Sequence, residues 1–120
     1  MSERIRPIFH NGKKIYFSDW TNLKNTEDAL KVMKETSDFV VKLGQKDLLE
    51  LIDVTGSYGN TEIFKVLKEI NNKVKHFNKK KAFVGLSSPQ RVILNTINIF
   101  SGTSVVGFDD IESAKDWLVK

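Results

Sequence analysis

The run DLLELIDV, Asp47 to Val54, admits few structures. Leu48, Leu49, Leu51, Ile52 and Val54 leave almost no polar alternation, so a strand with one face in water is excluded. The run is also shorter than the ~10–12 residues of an ordinary buried helix. What remains is a strand covered on both faces, as in a parallel sheet, and parallel strands need crossover connections. The sequence supplies them. After Asp53-Val54-Thr55-Gly56 a helical pattern starts at Thr61, with Ile63, Val66, Leu67, Ile70, Val74 and Phe77 in one stripe. KAFVGL, Lys81 to Leu86, is the next buried strand. It runs into Ser87-Ser88-Pro89, a hydroxyl cap followed by a proline at the first helical position. That helix is expected to run from Pro89 to Ser101 and stop at Gly102. TSVVGF is the last strand, and DDIESAKDWLVK a final capped helix with Ala114, Trp117 and Leu118 inward.

Ahead of the buried run, RPIFHNGKKIYFSDW reads as two strands, Arg6–Phe9 and Lys14–Ser18, around Asn11-Gly12. Asn-Gly between apolar segments is a strong hairpin signal, because both central positions of that turn need positive φ. A helix capped by Asn25 or Thr26 and ended by Gly44 follows, with Ala29, Val32, Met33, Phe39, Val40 and Leu43 on one face. The order is therefore ββαβαβαβα, an α/β chain of five strands and four helices with right-handed crossovers. No linker, repeat or low-complexity stretch divides residues 1–120, so one domain is expected. Glu50 is the charge inside the buried run. Its plainer place is the thinner, solvated side of the sheet.

The absence of cysteine removes disulfides, thiolate chemistry and thiolate metal sites, and suits a reducing, cytoplasmic setting. MSERIRPIFHNGKK has no apolar run after its charges, so it does not read as a signal peptide. No stretch approaches the ~18 apolar residues of a membrane span. The net charge of +4 raises nucleic acid as a partner, but the densest basic stretch, NKVKHFNKKKAF, falls at a predicted helix end and turn. Cations there complement the negative end of the helix dipole. The basic–aromatic interleaving of single-strand binders is missing, so no nucleic-acid role is expected.

Three phrases carry a resemblance: LIDVTG running into a helix, KAFVGLSSPQRVILNTINIFSG, and VVGFDDIESAKDWL. Together they resemble the STAS/SEC14-like (SpoIIAA-like) domains, relatives of bacterial anti-sigma-factor antagonists. The resemblance implies a βα superhelix whose mixed five-stranded sheet opens with an antiparallel hairpin, its helices packed largely on one face. In anti-sigma-factor antagonists a serine in an Asp-Ser-Ser-Gly turn is phosphorylated by a kinase that is also the binding partner. The corresponding stretch here reads Gly-Ser-Tyr-Gly-Asn-Thr, Gly56 to Thr61, without that signature. Ser57 and Thr61 are its nearest counterparts and the phosphoacceptor candidates. The SEC14 side of the name implies a lipid or another small molecule.

In a parallel βα array every strand ends, and every following helix begins, at one edge. Helix amino termini near Thr26, Thr61, Pro89 and Ile111 should converge there, each with free N–H groups and a partial positive charge. Open α/β sheets bind ligands at this edge, and helix amino termini favour anions. Thr55, Gly56, Ser57, Tyr58, Ser87, Ser88 and Arg91 are therefore the candidate ligand- or partner-binding residues. The same residues have plainer uses, since helices need caps and turns need glycine.

Val92, Ile93, Leu94, Ile97, Ile99 and Phe100 spread over roughly 220° of the Pro89–Ser101 helix, against the ~100° stripe of a surface helix. Either neighbours flank it on both sides, or its extra apolar edge meets a homodimer mate, a protein partner or a lipid chain. His10 and His76 stand at no ligand spacing from carboxylates, and no phosphate loop or catalytic triad is recognisable. No metal, cofactor or catalytic residue is assigned. Two functions are expected to compete: a non-enzymatic regulatory module that docks a protein such as a kinase or anti-sigma-like regulator, and a carrier or sensor of a small anionic or amphiphilic ligand.

Overall fold

The computed structural model describes residues 4–96 and 105–120. Strands β1 (Ile5–His10) and β2 (Lys13–Asp19) form the hairpin, closed by Asn11 at φ 50° and Gly12 at φ 79°. Then follow α1 (Thr26–Leu43), β3 (Leu48–Asp53), α2 (Thr61–Val74), β4 (Asn78–Val84), α3 (Ser88–Thr96), β5 (Val105–Phe108) and α4 (Ile111–Val119). The sheet order is β1-β2-β3-β4-β5, antiparallel in the first pair and parallel in the rest. The expected end of the α3 helix at Ser101 and Gly102, its apolar positions Ile97, Ile99 and Phe100, and the start of the last strand lie outside the described residues.

The two-sided burial of the LLELID run is met by α1 and α2 on one face and by α4 on the other. Leu48 and Ile52 point to the α1/α2 layer, packing with Val40 and Val74 and with Val32, Leu67 and Phe83. Leu51 points the other way, into a cluster of Ile15, Phe17, Ala82, Val84, Ala114 and Leu118 under α4. Helix α4 is short, but Ala114 and Leu118 are both buried, and they seal the face that a one-sided array would leave in water.

That coverage overturns the expected setting of Glu50. Its alternation with Leu48 and Ile52 turns it toward α1 and α2, where it is 2% exposed. The counter-charge comes from the adjacent strand. Glu50 and Lys81 are direct partners in the β3–β4 register, and Lys81 Nζ stands 3.6 Å from Glu50 Oε1 while donating to Asn71 Oδ1 of α2 at 3.1 Å. A buried charge is tolerable only when paired in this way.

The lysine run also sits elsewhere than expected. Lys79 and Lys80 belong to β4, together with the expected Lys81, and not to a turn. The β3–β4 register skips Lys79, pairing Leu48 with Asn78 and Leu49 with Lys80. Such a bulge turns two successive side chains toward one face. Lys80 accordingly reaches α4, where its ammonium donates to the Trp117 carbonyl at 2.8 Å and lies 5.0 Å from the centre of the Trp117 ring. Lys73 stands in the last turn of α2, where its charge complements the dipole as expected, and the end of α4 gains the same complement from Lys80 and from Lys13, whose Nζ donates to the Val119 carbonyl at 3.1 Å.

Candidate functional site

The carboxyl ends of β2 and β3 carry the same device twice. Asp19 Oδ1 accepts from the Thr21 amide at 2.9 Å and its hydroxyl at 2.6 Å; Asp53 Oδ1 accepts from the Thr55 amide at 3.0 Å and hydroxyl at 2.6 Å. The fourth residue of each turn is left-handed, Asn22 at φ 59° and Gly56 at φ 74°. The two turns lie side by side, with the Trp20 amide donating to the Asp53 carbonyl at 2.8 Å and the Asn22 amide to Thr55 at 3.1 Å. Glycine suits the second turn because its φ is left-handed, and a Cβ on Gly56 would meet Asn22 Oδ1 at 2.6 Å and push that side chain aside. Sequence reading found one turn and missed its twin, although Asp-Trp-Thr-Asn and Asp-Val-Thr-Gly share a visible spacing.

From these turns the four helix starts are linked. Asn60, the cap of α2, donates through Nδ2 to Thr26 Oγ1 on the first turn of α1 at 2.9 Å. Gln90 Nε2 of α3 donates to the Ser57 carbonyl at 3.2 Å, and Arg91 Nη2 donates to Asp109, just before α4, at 2.9 Å. The sequence-predicted residues are therefore gathered at one rim.

Their polar groups are largely engaged within that rim. Ser57 Oγ accepts from the Leu23 amide at 2.9 Å and donates to the Trp20 carbonyl, tying the β3–α2 loop to the β2–α1 loop. Thr55 is held by Asp53. Ser87 caps α3, accepting from the Gln90 amide at 3.3 Å while its own amide donates to Gln90 Oε1 at 2.9 Å. Lys24 Nζ donates to the Gly56 carbonyl at 2.8 Å. Arg91 faces a carboxylate and not an open anion site. Ser88 and Thr61 are exposed, each the first residue of its helix. Asp19, Lys24 and Gln90 are rim residues that sequence reading did not single out. Burial would raise the Asp19 carboxyl, but the Thr21 hydroxyl and amide together with Arg4 and Arg6 outweigh it and hold it below the usual aspartate value.

Beneath the loops lies a cavity of about 40 Å³ lined chiefly by Trp20, Leu23, Met33, Phe64, Tyr58 and Leu86. Tyr58, which lines it, is 50% exposed, and Val92 and Ile93 on α3 are 63% and 39% exposed. The histidines stand elsewhere. His10 Nε2 is 2.7 Å from Asp116 of α4, a pairing that no sequence spacing announced, and His76 packs on Phe77 beyond the end of α2. Among the described residues no helix is long and apolar enough to cross a membrane.

A hairpin-led, mostly parallel five-stranded sheet with four helix starts gathered on one rim defines the SpoIIAA-like class of α/β fold. A comparison with solved structures agrees. The chain is similar to an uncharacterized protein from the DUF3478 family with a SpoIIAA-like fold from Shewanella loihica PV-4, at a TM-score of 0.66 and 19% identity over 95% of this chain and 91% of that one. No protein-family model and no curated protein matches the sequence.

Proposed function

We propose that the protein is a non-enzymatic regulatory module of the STAS type that docks a protein partner on the carboxyl-end rim, within a cytoplasmic setting. The observation that carries this reading is the pairing of exposed Tyr58, Val92 and Ile93 with a rim whose hydroxyls are mostly engaged. A pre-ordered apolar surface framed by satisfied polar groups suits a protein interface better than capture of a small anion. The carrier reading has less support, since the cavity of about 40 Å³ falls well short of the ~300–1,000 Å³ of ordinary ligand pockets.

Of the two phosphoacceptor candidates, Thr61 is the better placed. It is exposed at the first position of α2, where a phosphate would suit the helix dipole while changing the charge of the docking face. Phosphate on Ser57 would first have to break both of its loop-bridging bonds. The test is site-specific photocrosslinking in cells from positions 58 and 92, with position 65 on the open side of α2 as control. One shared partner from 58 and 92, lost on Thr61→Asp or Arg91→Ala, supports the reading. Absence of a shared partner, or one indifferent to both substitutions, removes its basis.

A further inference from the structure

The opposite edge of the sheet holds a second concavity, of about 300 Å³, which no part of the rim reaches. Lys13, Lys14, Lys79 and Lys120 line it over a floor of Leu49 and Leu118, with Asp47 as its one carboxylate side chain. Three features of the fold assemble it. The β2, β3 and β4 strands begin there, α4 ends there, and the bulge that skips Lys79 in the β3–β4 register swings its side chain beside Lys80 on the α4 face. Without the bulge, alternation would turn Lys79 away. Lys13 and Lys80 are held by the last carbonyls of α4. Lys79 is exposed, and among the described residues it has no hydrogen-bonded or carboxylate partner; Lys14 turns to the other face of the sheet, its ammonium 5.8 Å from the centre of the Tyr16 ring. Asp116 of the same helix is taken up by His10.

From this arrangement we infer that the amino-end cleft binds a small anion bearing two or more phosphates. Lys13, Lys79 and Lys120 bring three cationic side chains to an open concavity whose one carboxylate side chain is Asp47, a geometry that focuses positive potential and concentrates multivalent anions. Lysines bind phosphate as adaptable point charges, so the site needs no planar fork of the arginine kind. The volume, at the lower end of the range for ligand pockets, admits a compact polyphosphate and not a protein segment.

Calorimetric titration of the full chain with inorganic tripolyphosphate at low and moderate salt tests this. Binding that weakens with salt is expected, with about a tenfold or greater loss on Lys79→Glu/Lys120→Glu. Lys31→Glu/Lys65→Glu, which changes net charge equally on α1 and α2, should alter it by less than about twofold. Circular dichroism checks that both variants are folded. No binding at low salt, or equal weakening by the two charge reversals, overturns the inference. So does an oligonucleotide of matched charge that binds as tightly, since that would mean unspecific polyelectrolyte attraction. Cosedimentation with phosphatidylcholine vesicles doped with a bisphosphorylated inositol lipid, competed by tripolyphosphate, would place the phosphates on a headgroup. Tripolyphosphate binding without cosedimentation would place them on a free anion.

Discussion

At the carboxyl end of the sheet, Ser57 ties two loops through one hydroxyl, Asp19 and Asp53 each hold a threonine, and Arg91 meets Asp109. At the amino end, Lys79 extends into a cleft with no such partner among the described residues. The carboxyl end is richer in hydroxyls and helix starts, yet the lysines carry more unsatisfied capacity. Two ends of one sheet thus show that the number of polar groups says little about their availability. Availability depends on whether a complementary group from another loop has already met them. Substitutions at the rim should therefore cost folding free energy, and those at the unpartnered lysines of the cleft should not; one lysine of the same run, buried away from the cleft, should cost most of all.

That lysine is Lys81, and it gives the largest expected effect. Lys81→Met strands Glu50 without a partner between the sheet and α2, which should cost ~3–5 kcal/mol in urea unfolding. The double variant Glu50→Leu/Lys81→Met should recover most of that loss, because paired apolar residues avoid the desolvation of both charges. A double no better than the single would mean that Asn71 and its surroundings, and not charge pairing, fix this part of the core.

Next comes Ser57→Ala, which leaves the Leu23 amide and Trp20 carbonyl without their partner and should cost ~1–3 kcal/mol. A loss this size at a half-exposed serine would mark the rim as a structural knot. An effect within ~0.5 kcal/mol, ordinary for a surface site, would erase the contrast with the cleft.

Much of the fold was legible because its signals are local. Asn11-Gly12 demanded a hairpin, and the LLELID run demanded cover on both sides. The strand boundary before Lys81 was not legible. Three lysines in a row look like a turn when their long stems are ignored, and a bulge leaves no periodic trace. The Glu50–Lys81 pair was nearer to hand: both residues stand three positions before the end of their strands, and parallel strands ending flush at Asp53 and Val84 bring them level. For the rim, topology gathered the candidates, but their availability depended on bonds between residues far apart in the chain. The twin Asp-x-Thr turns were the one sequence clue to those bonds. His10 and Asp116 meet only because the hairpin tip and the end of α4 share an edge, which nothing local encodes.

A pH-dependent effect of intermediate size bears on the rim alone. The Asp19 carboxyl is held below its ordinary value in the fold, so its contribution is present above the unfolded value near ~4 and is lost as pH falls through the folded one. Asp19→Asn should lower the melting temperature at neutral pH, and the gap from the wild type should close as pH drops from ~4.5 toward ~2. The group is partly exposed, so solvent screening keeps the gap modest. A gap constant across that range would mean that the Thr21 turn tolerates the neutral side chain equally well.

The smallest effect is the most discriminating. Lys80→Ala removes a cation from the last carbonyls of α4 and should cost ~0.3–1 kcal/mol. Lys79→Ala, one residue away on the same strand, should change stability by less than ~0.5 kcal/mol, since its ammonium leaves no acceptor behind. Urea denaturation of the two single variants in parallel would read the difference. If Lys79→Ala destabilises as much as Lys80→Ala, the lysine edge is as fully engaged as the rim, and the cleft loses its unoccupied charge.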